Sequence, residues 1–327
     1  MVPRQPRLGG AGTQRRLPRL DANAIRRRRV RALVFGANGQ LGQALVHQLQ
    51  GTATVLALHR HSAPACGDLL NRNGMAQTIR DWRPEVVFNA AAYTQVDRAE
   101  DEPELAQQVN ALAPAAMAEA AREVGAWLVH FSTDYVFDGR GDTPWREQDA
   151  CAPCNAYGQS KWLGEQMVGN SGAKHLIFRT SWVFAAAHAN FARTMVQLAQ
   201  SRDRLQVVND QWGAPTYAPW LAQVVLAALP HAMAHGVQGV YHAAAAGQTT
   251  WCDYAAYVLQ GAQQRAPDLP WRVQRPEPVA SAAYATRAAR PMNSRLDCSL
   301  LHQTFGVQPM PWQRGVDAWL EAEYPLP

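Results

Sequence analysis

Tyr157 and Lys161 are the residues of this chain whose types and spacing most directly suggest chemistry. Lys161 and Lys174 are the only lysines, although Lys and Arg together number 31, so a lysine here asks for a reason that arginine would not satisfy. Residues four apart share a helix face, which would bring the ammonium beside the phenol oxygen. A nearby positive charge favours phenolate and would lower the tyrosine from its usual value of about 10 toward working pH, where it could donate and recover a proton. The competing reading is chance, because Tyr-x-x-x-Lys is a common spacing on exposed helices. The pair acquires meaning only from the elements that position it.

Those elements begin with a buried strand at 31–35, a glycine turn and a helical run at 43–50. The turn holds Gly36, Asn38, Gly39, Gln40, Leu41 and Gly42. Strand, glycine turn and helix in that order form a dinucleotide-binding unit, in which glycines let the backbone approach a pyrophosphate at the helix N-terminus. The next strand, 54–58, runs into His59, Arg60 and His61 where an NAD-preferring site places an acid. Basic side chains there suit a 2′-phosphate and predict NADPH over NADH, which stays the other nicotinamide cofactor the site could take. The competing reading is a solvated loop with incidental charge.

Asp68 could bond adenine. A strand at 86–89 leads into Ala90, Ala91, Ala92, Tyr93 and Thr94, small or slender residues against which a flat ring can lie. A strand at 127–131 runs toward Thr133, so this hydroxyl falls where ligands of open α/β sheets bind. Alternating strands and helices predict an α/β fold: a Rossmann-type, doubly wound parallel sheet with a smaller, discontinuous substrate-binding lobe. The expected division is a leader at 1–29, a cofactor domain at 30–175 with segments returning around 205–245, and a second lobe at 176–204 and 246–327. Trp251, Trp271, Trp312 and Trp319 would pack that lobe.

Composition narrows the class. With 47% hydrophobic and 17% charged residues, the 327-residue chain fits a soluble, cytoplasmic enzyme. No apolar run approaches the roughly 20 residues of a membrane span. The net charge of +5 is concentrated in residues 1–31, where ten arginines oppose one acid; the remainder carries −4, which argues against a nucleic-acid-binding surface on the folded part. The leader reads as a disordered extension, with an organellar transit peptide as the alternative. Five scattered cysteines suggest free thiols in a reducing compartment. Cys151 and Cys154 have CxxC spacing without a second ligand pair, so no metal is expected.

With these pieces in order, the chain resembles the dTDP-4-dehydrorhamnose reductase family of extended short-chain dehydrogenase/reductases, from about Ala32 to the C-terminus. The resemblance rests on the glycine turn, on the stretches 89–97 and 132–139, on Tyr157 to Lys161 followed by Gly164 and Glu165, and on 178–182, 209–216 and 290–296. It implies NADPH-dependent reduction of the C4 ketone of a dTDP-linked 4-keto-6-deoxy sugar; the sequence leaves monomer and homodimer both open. Tyr157 would be the proton donor, Thr133 a partner to the same oxygen, and Lys161 a ribose anchor that also tunes the tyrosine. Val96, Asp97, Asp134 and Tyr135 would line the sugar pocket, with Trp182, Asn190 and Phe191 from the second lobe. Arg290, Asn293 and Arg295 would serve the nucleotide diphosphate. Two alternatives share these residues: a related nucleotide-sugar reductase or epimerase, and a non-catalytic NADP-binding regulatory subunit.

Overall fold

Strand β1 (Val30–Phe35) buries residues on both of its faces: Ala32 and Val34 join one apolar cluster, Leu33 and Phe35 another. A strand apolar on both sides belongs inside a sheet covered by helices above and below. The computed structural model, which describes residues 29–186, 188–284 and 286–326, has that arrangement. Five further strands, β2 (Ala53–Leu58), β3 (Val86–Asn89), β4 (Trp127–Thr133), β5 (Lys174–Thr180) and β6 (Gly239–His242), join β1 in one sheet of spatial order β2-β1-β3-β4-β5-β6. Every pairing is parallel. The order reverses between β1 and β3, and a crevice opens outside the carboxyl ends of strands at such a switch. The expected leader lies outside the described residues except for Arg29.

Helix α1 (Gln40–Leu49) starts three residues earlier than expected, because the Gly39 carbonyl already accepts the Gln43 N–H at 2.9 Å. Helix α2 (Ala156–Gly169) carries Tyr157 and Lys161. Its N-terminus is capped by Asn155, whose side chain accepts the Gly158 N–H at 2.7 Å. The same helix packs on a π-helical turn, Gln108–Leu112, where Asn110 donates to the Ser160 hydroxyl at 2.9 Å. Gly164 is required there, since a Cβ at that position would lie 2.1 Å from the Asn110 carbonyl oxygen.

Strand β5 runs across the expected boundary at 175 and continues in the sheet to Thr180. Within the segment expected to return around 205–245, the chain first pairs with the second lobe and then rejoins the sheet. Gln206–Val208 and Trp212–Gly213 pair with second-lobe strands, and the chain rejoins the sheet through helix α3 (Ala218–His235) and β6. The second lobe has its own core, in which Trp312 and Trp319 are buried and Trp251 and Trp271 pack at the margin. No helix among the described residues is long and apolar enough to cross a membrane.

Candidate active site

The crevice at the switch point is a cleft of about 920 Å³, the size of a small-molecule site. One end is the turn from β1 into α1. Gly36 has φ +78°, and a Cβ there would meet the Ala91 backbone nitrogen at 2.6 Å; a Cβ on Gly42 would lie 2.0 Å from the Gly36 carbonyl oxygen. Only glycine lets the helix N-terminus sit this close to the strand ends. The result is a cradle of backbone suited to the phosphates of a dinucleotide, with His59, Arg60 and Asp68 further along the same wall.

The other end joins α2 to β4. Lys161, 2% exposed, donates from Nζ to the Phe131 carbonyl at 2.6 Å. Burial pulls its ammonium down to about 8, against the raising influence of Glu165. That acid is held elsewhere: Arg179 clasps it through two hydrogen bonds of 2.9 and 2.7 Å. Thr133, the last residue of β4, donates to Asp134 Oδ1 at 3.2 Å and accepts the Tyr135 N–H at 3.2 Å. Burial pushes the Asp134 carboxyl up to about 7, opposed by hydrogen bonds with Ser294 and Thr133.

Tyr157 departs from expectation in its acidity. Burial pushes the phenol up to about 12; a hydrogen bond with Thr133 opposes the rise and the Asp134 carboxyl adds to it. The anticipated lowering by Lys161 is not among the influences on this phenol: desolvation dominates, and the one charge that acts on it, Asp134, also disfavours phenolate. The phenol is therefore fully protonated at neutral pH. A phenol, a hydroxyl and an ammonium thus share one wall, a set able to protonate and hydrogen-bond an oxygen brought to it.

Most residues expected to hold a cofactor line the cleft: Gly36, Asn38, Gly39, Gln40 and Leu41 at the turn, and Ala90, Ala91, Ala92 and Thr94 after β3. Gly42 and Tyr93 are exceptions. Gly42 packs behind the turn, and Tyr93 sends its hydroxyl to Glu102 at 2.8 Å.

Among expected substrate residues, Val96, Asp134, Tyr135, Trp182 and Arg290 line the cleft. Trp182 stacks on Trp251 with ring centroids 3.7 Å apart. Asp97 instead pairs with Arg290 at 2.6 Å, acting on the cleft through that partner. Asn190 caps the helix Phe191–Ser201, and Phe191 packs on Trp251 and Tyr254. Asn293 is buried and donates to the Thr143 carbonyl at 2.8 Å. Arg295 bonds Asn293 and Gln248 beside a separate cavity of about 570 Å³. The cleft also takes Ser132, Thr180, His188 and Trp251, which the sequence analysis did not assign to it. Thr180 was within reach of sequence reasoning, because it ends β5 in register with Thr133; His188 sits in a loop whose sequence gives no such signal.

Residues 30–324 match the family model described as the RmlD substrate binding domain. The chain is 48% identical over 289 residues to dTDP-4-dehydrorhamnose reductase of Escherichia coli K12, covering 88% of this chain and 96% of that one. It is 42% identical over 292 residues to the reductase of Burkholderia thailandensis, covering 88% and 97%. The fold is similar to that of the Bacillus anthracis reductase solved in complex with NADP, with a TM-score of 0.80, 33% identity, and coverage of 89% of this chain and 98% of that one. By matching these reductases along nearly their whole length, the chain belongs to the dTDP-4-dehydrorhamnose reductase family.

Proposed function

We propose that this protein reduces the C4 ketone of dTDP-4-dehydro-6-deoxy-L-mannose to give dTDP-L-rhamnose, the last step of dTDP-rhamnose biosynthesis. The observation that carries this reading is one cleft holding the Thr133, Tyr157 and Lys161 wall together with a glycine-built dinucleotide cradle, in a chain of the reductase family. NADPH, when bound, supplies the hydride. The cradle from Gly36 to Leu41 would hold its pyrophosphate, and His59 and Arg60, in place of an acid, would favour its 2′-phosphate.

The protein's own part is proton management and orientation. Tyr157, kept neutral by burial, gives its proton to the C4 oxygen, while the Thr133 hydroxyl bonds the same oxygen. Lys161 is fixed through one N–H on the Phe131 carbonyl, which leaves its other donors for ribose hydroxyls. Trp182 offers an aromatic face to the sugar nucleotide and Arg290 a planar fork to its diphosphate, with Asp97 orienting the guanidinium. Val96, Asp134 and Tyr135 complete the sugar side. All of these walls come from one chain, so a monomer or a homodimer would serve, and five free cysteines fit the reducing cytoplasm.

The test is loss of NADPH absorbance with dTDP-linked and UDP-linked 4-keto sugars. Turnover should favour the dTDP substrate, and Tyr157→Phe should lose about 10²- to 10⁴-fold in kcat while still binding NADPH. Tight NADPH binding without turnover of either sugar would instead identify a regulatory subunit. In the same assay, an Arg60→Ala variant with an unchanged NADPH/NADH ratio of kcat/KM would remove Arg60 from cofactor choice.

A further inference from the structure

The glycine turn is approached from two sides, and the second approach comes from the smaller lobe. Gln40, the first residue of α1, is bound to the backbone of that lobe: its Oε1 accepts the Ala185 N–H at 2.7 Å and its Nε2 donates to the Val183 carbonyl at 3.4 Å. One turn along the same helix face, Gln43 Oε1 meets His188 Nε2 at 2.8 Å.

The loop so attached is braced from its far end. Asn190 Nδ2 donates to the carbonyls of Ala185 at 2.6 Å and His188 at 3.1 Å, and Arg193 Nε donates to the His188 carbonyl at 3.1 Å. Arg193 is in turn paired with Glu323 of the C-terminal helix Trp312–Glu323. A loop fastened to α1 at one end and to the second-lobe core at the other holds its side chains in place without a bound partner.

What this loop offers the cleft is specific. Val183, His188 and Ala189 line it alongside Asn38, Gly39 and Gln40, and only His188 brings a polar side chain. Residues 183–190 contain no acid, so the wall facing the glycine turn adds no negative charge. With Nε2 on the Gln43 amide, Nδ1 is the ring nitrogen left for a ligand, and it is a donor when the Gln43 amide turns its N–H to Nε2, the polarity that a pyrophosphate dianion recognises.

We propose that His188, carried by the second lobe and held by Gln43, bonds the pyrophosphate of the dinucleotide cofactor and closes the cradle opposite the glycine turn. The inference rests on the reading that this cleft holds NADPH. It gives the second lobe a direct part in cofactor binding, beyond its part in sugar binding. Through Gln40 and Gln43, the helix that receives the phosphates is also the helix that fixes the loop following Trp182.

The experiment is an equilibrium titration of the full-length protein with NADPH, read by cofactor fluorescence in the absence of sugar, together with KM values for both substrates. His188→Ala should raise the Kd for NADPH about tenfold, the effect of losing one hydrogen bond to a charged group. His188→Gln, which keeps a donor, should recover part of that loss. Gln43→Leu, which frees the ring without removing it, should weaken binding by a smaller factor. The KM for the keto sugar should stay within about twofold in all three. An unchanged NADPH Kd in His188→Ala, or a rise confined to the sugar KM, would overturn the assignment. A wild-type protein that fails to bind NADPH at all would overturn the reading of the cleft itself, a result distinct from a failure at His188.

Discussion

Burial sets the protonation of the reacting side chains. Lys161 and Asp134 each give up solvation, and each leans toward its neutral form, down to about 8 and up to about 7 respectively. The signs follow from linkage. Asp134 holds its proton in the folded state above its ordinary value of 3.8, so its contribution is intact at low pH and is lost as pH rises toward about 7. Lys161 sheds its proton below its ordinary 10.5, so a penalty of on the order of 3 kcal/mol is present at neutral pH and is relieved between about 8 and 10.5. Stability in the absence of ligand should therefore dip near pH 7 to 8. Urea unfolding across pH 5 to 10 measures this: Asp134→Asn should flatten the falling limb and Lys161→Met the rising one. Unaltered limbs in both variants would show that other groups govern the profile.

At the scale of elements, the positions that resist substitution are those where backbones nearly touch. Gly42→Ala would put a methyl 2.0 Å from the Gly36 carbonyl oxygen, forcing α1 away from the turn. The expected cost is about 1–3 kcal/mol in unfolding free energy, with weaker NADPH binding measured by fluorescence titration. Full retention of both would mean that the turn adjusts more easily than its packing suggests. This turn was legible in the sequence because its constraint is local: strand, glycines and helix lie within twenty residues. Thr133, Tyr157 and Lys161 were legible for the same reason, being placed by one strand end and one helix turn.

The contacts of Asn293 and Arg295 were not legible, although the resemblance drew both residues into the expected site. Asn293 completes the hydrogen bonding of a segment 150 residues earlier in the chain, and no spacing rule reports a pairing at that separation. Asn190 is a helix cap as well as a motif residue, and only the fold reveals which backbone groups its amide satisfies.

For the whole molecule, the two lobes have separate apolar cores but are tied at both rims of the cleft. Gln40 binds Ala185 on one side. On the other, Asp97 accepts the Ala288 N–H at 3.1 Å and the Arg290 guanidinium at 2.6 Å, and Asn155 donates to the Ala289 carbonyl at 2.8 Å. With ties on both sides, the lobes should unfold as one unit. Tryptophan fluorescence, to which Trp251, Trp271, Trp312 and Trp319 of the second lobe contribute, should then change at the same urea concentration as the far-ultraviolet circular dichroism of the sheet. NADPH at a hundred times its Kd should move both transitions together, adding about 2.7 kcal/mol. A tryptophan transition that precedes the sheet, or fails to move with NADPH, would show that the rim contacts do not couple the cores.

The scarcity of lysine has a practical side. Lys161 is sealed at the bottom of the cleft, while Lys174, the other side-chain amine in the sequence, is exposed at the opposite end of the sheet, where β5 begins. Amine-directed coupling through side chains would thus attach a dye, a tether or a solid support at a single lysine, with the cleft turned away from the point of attachment.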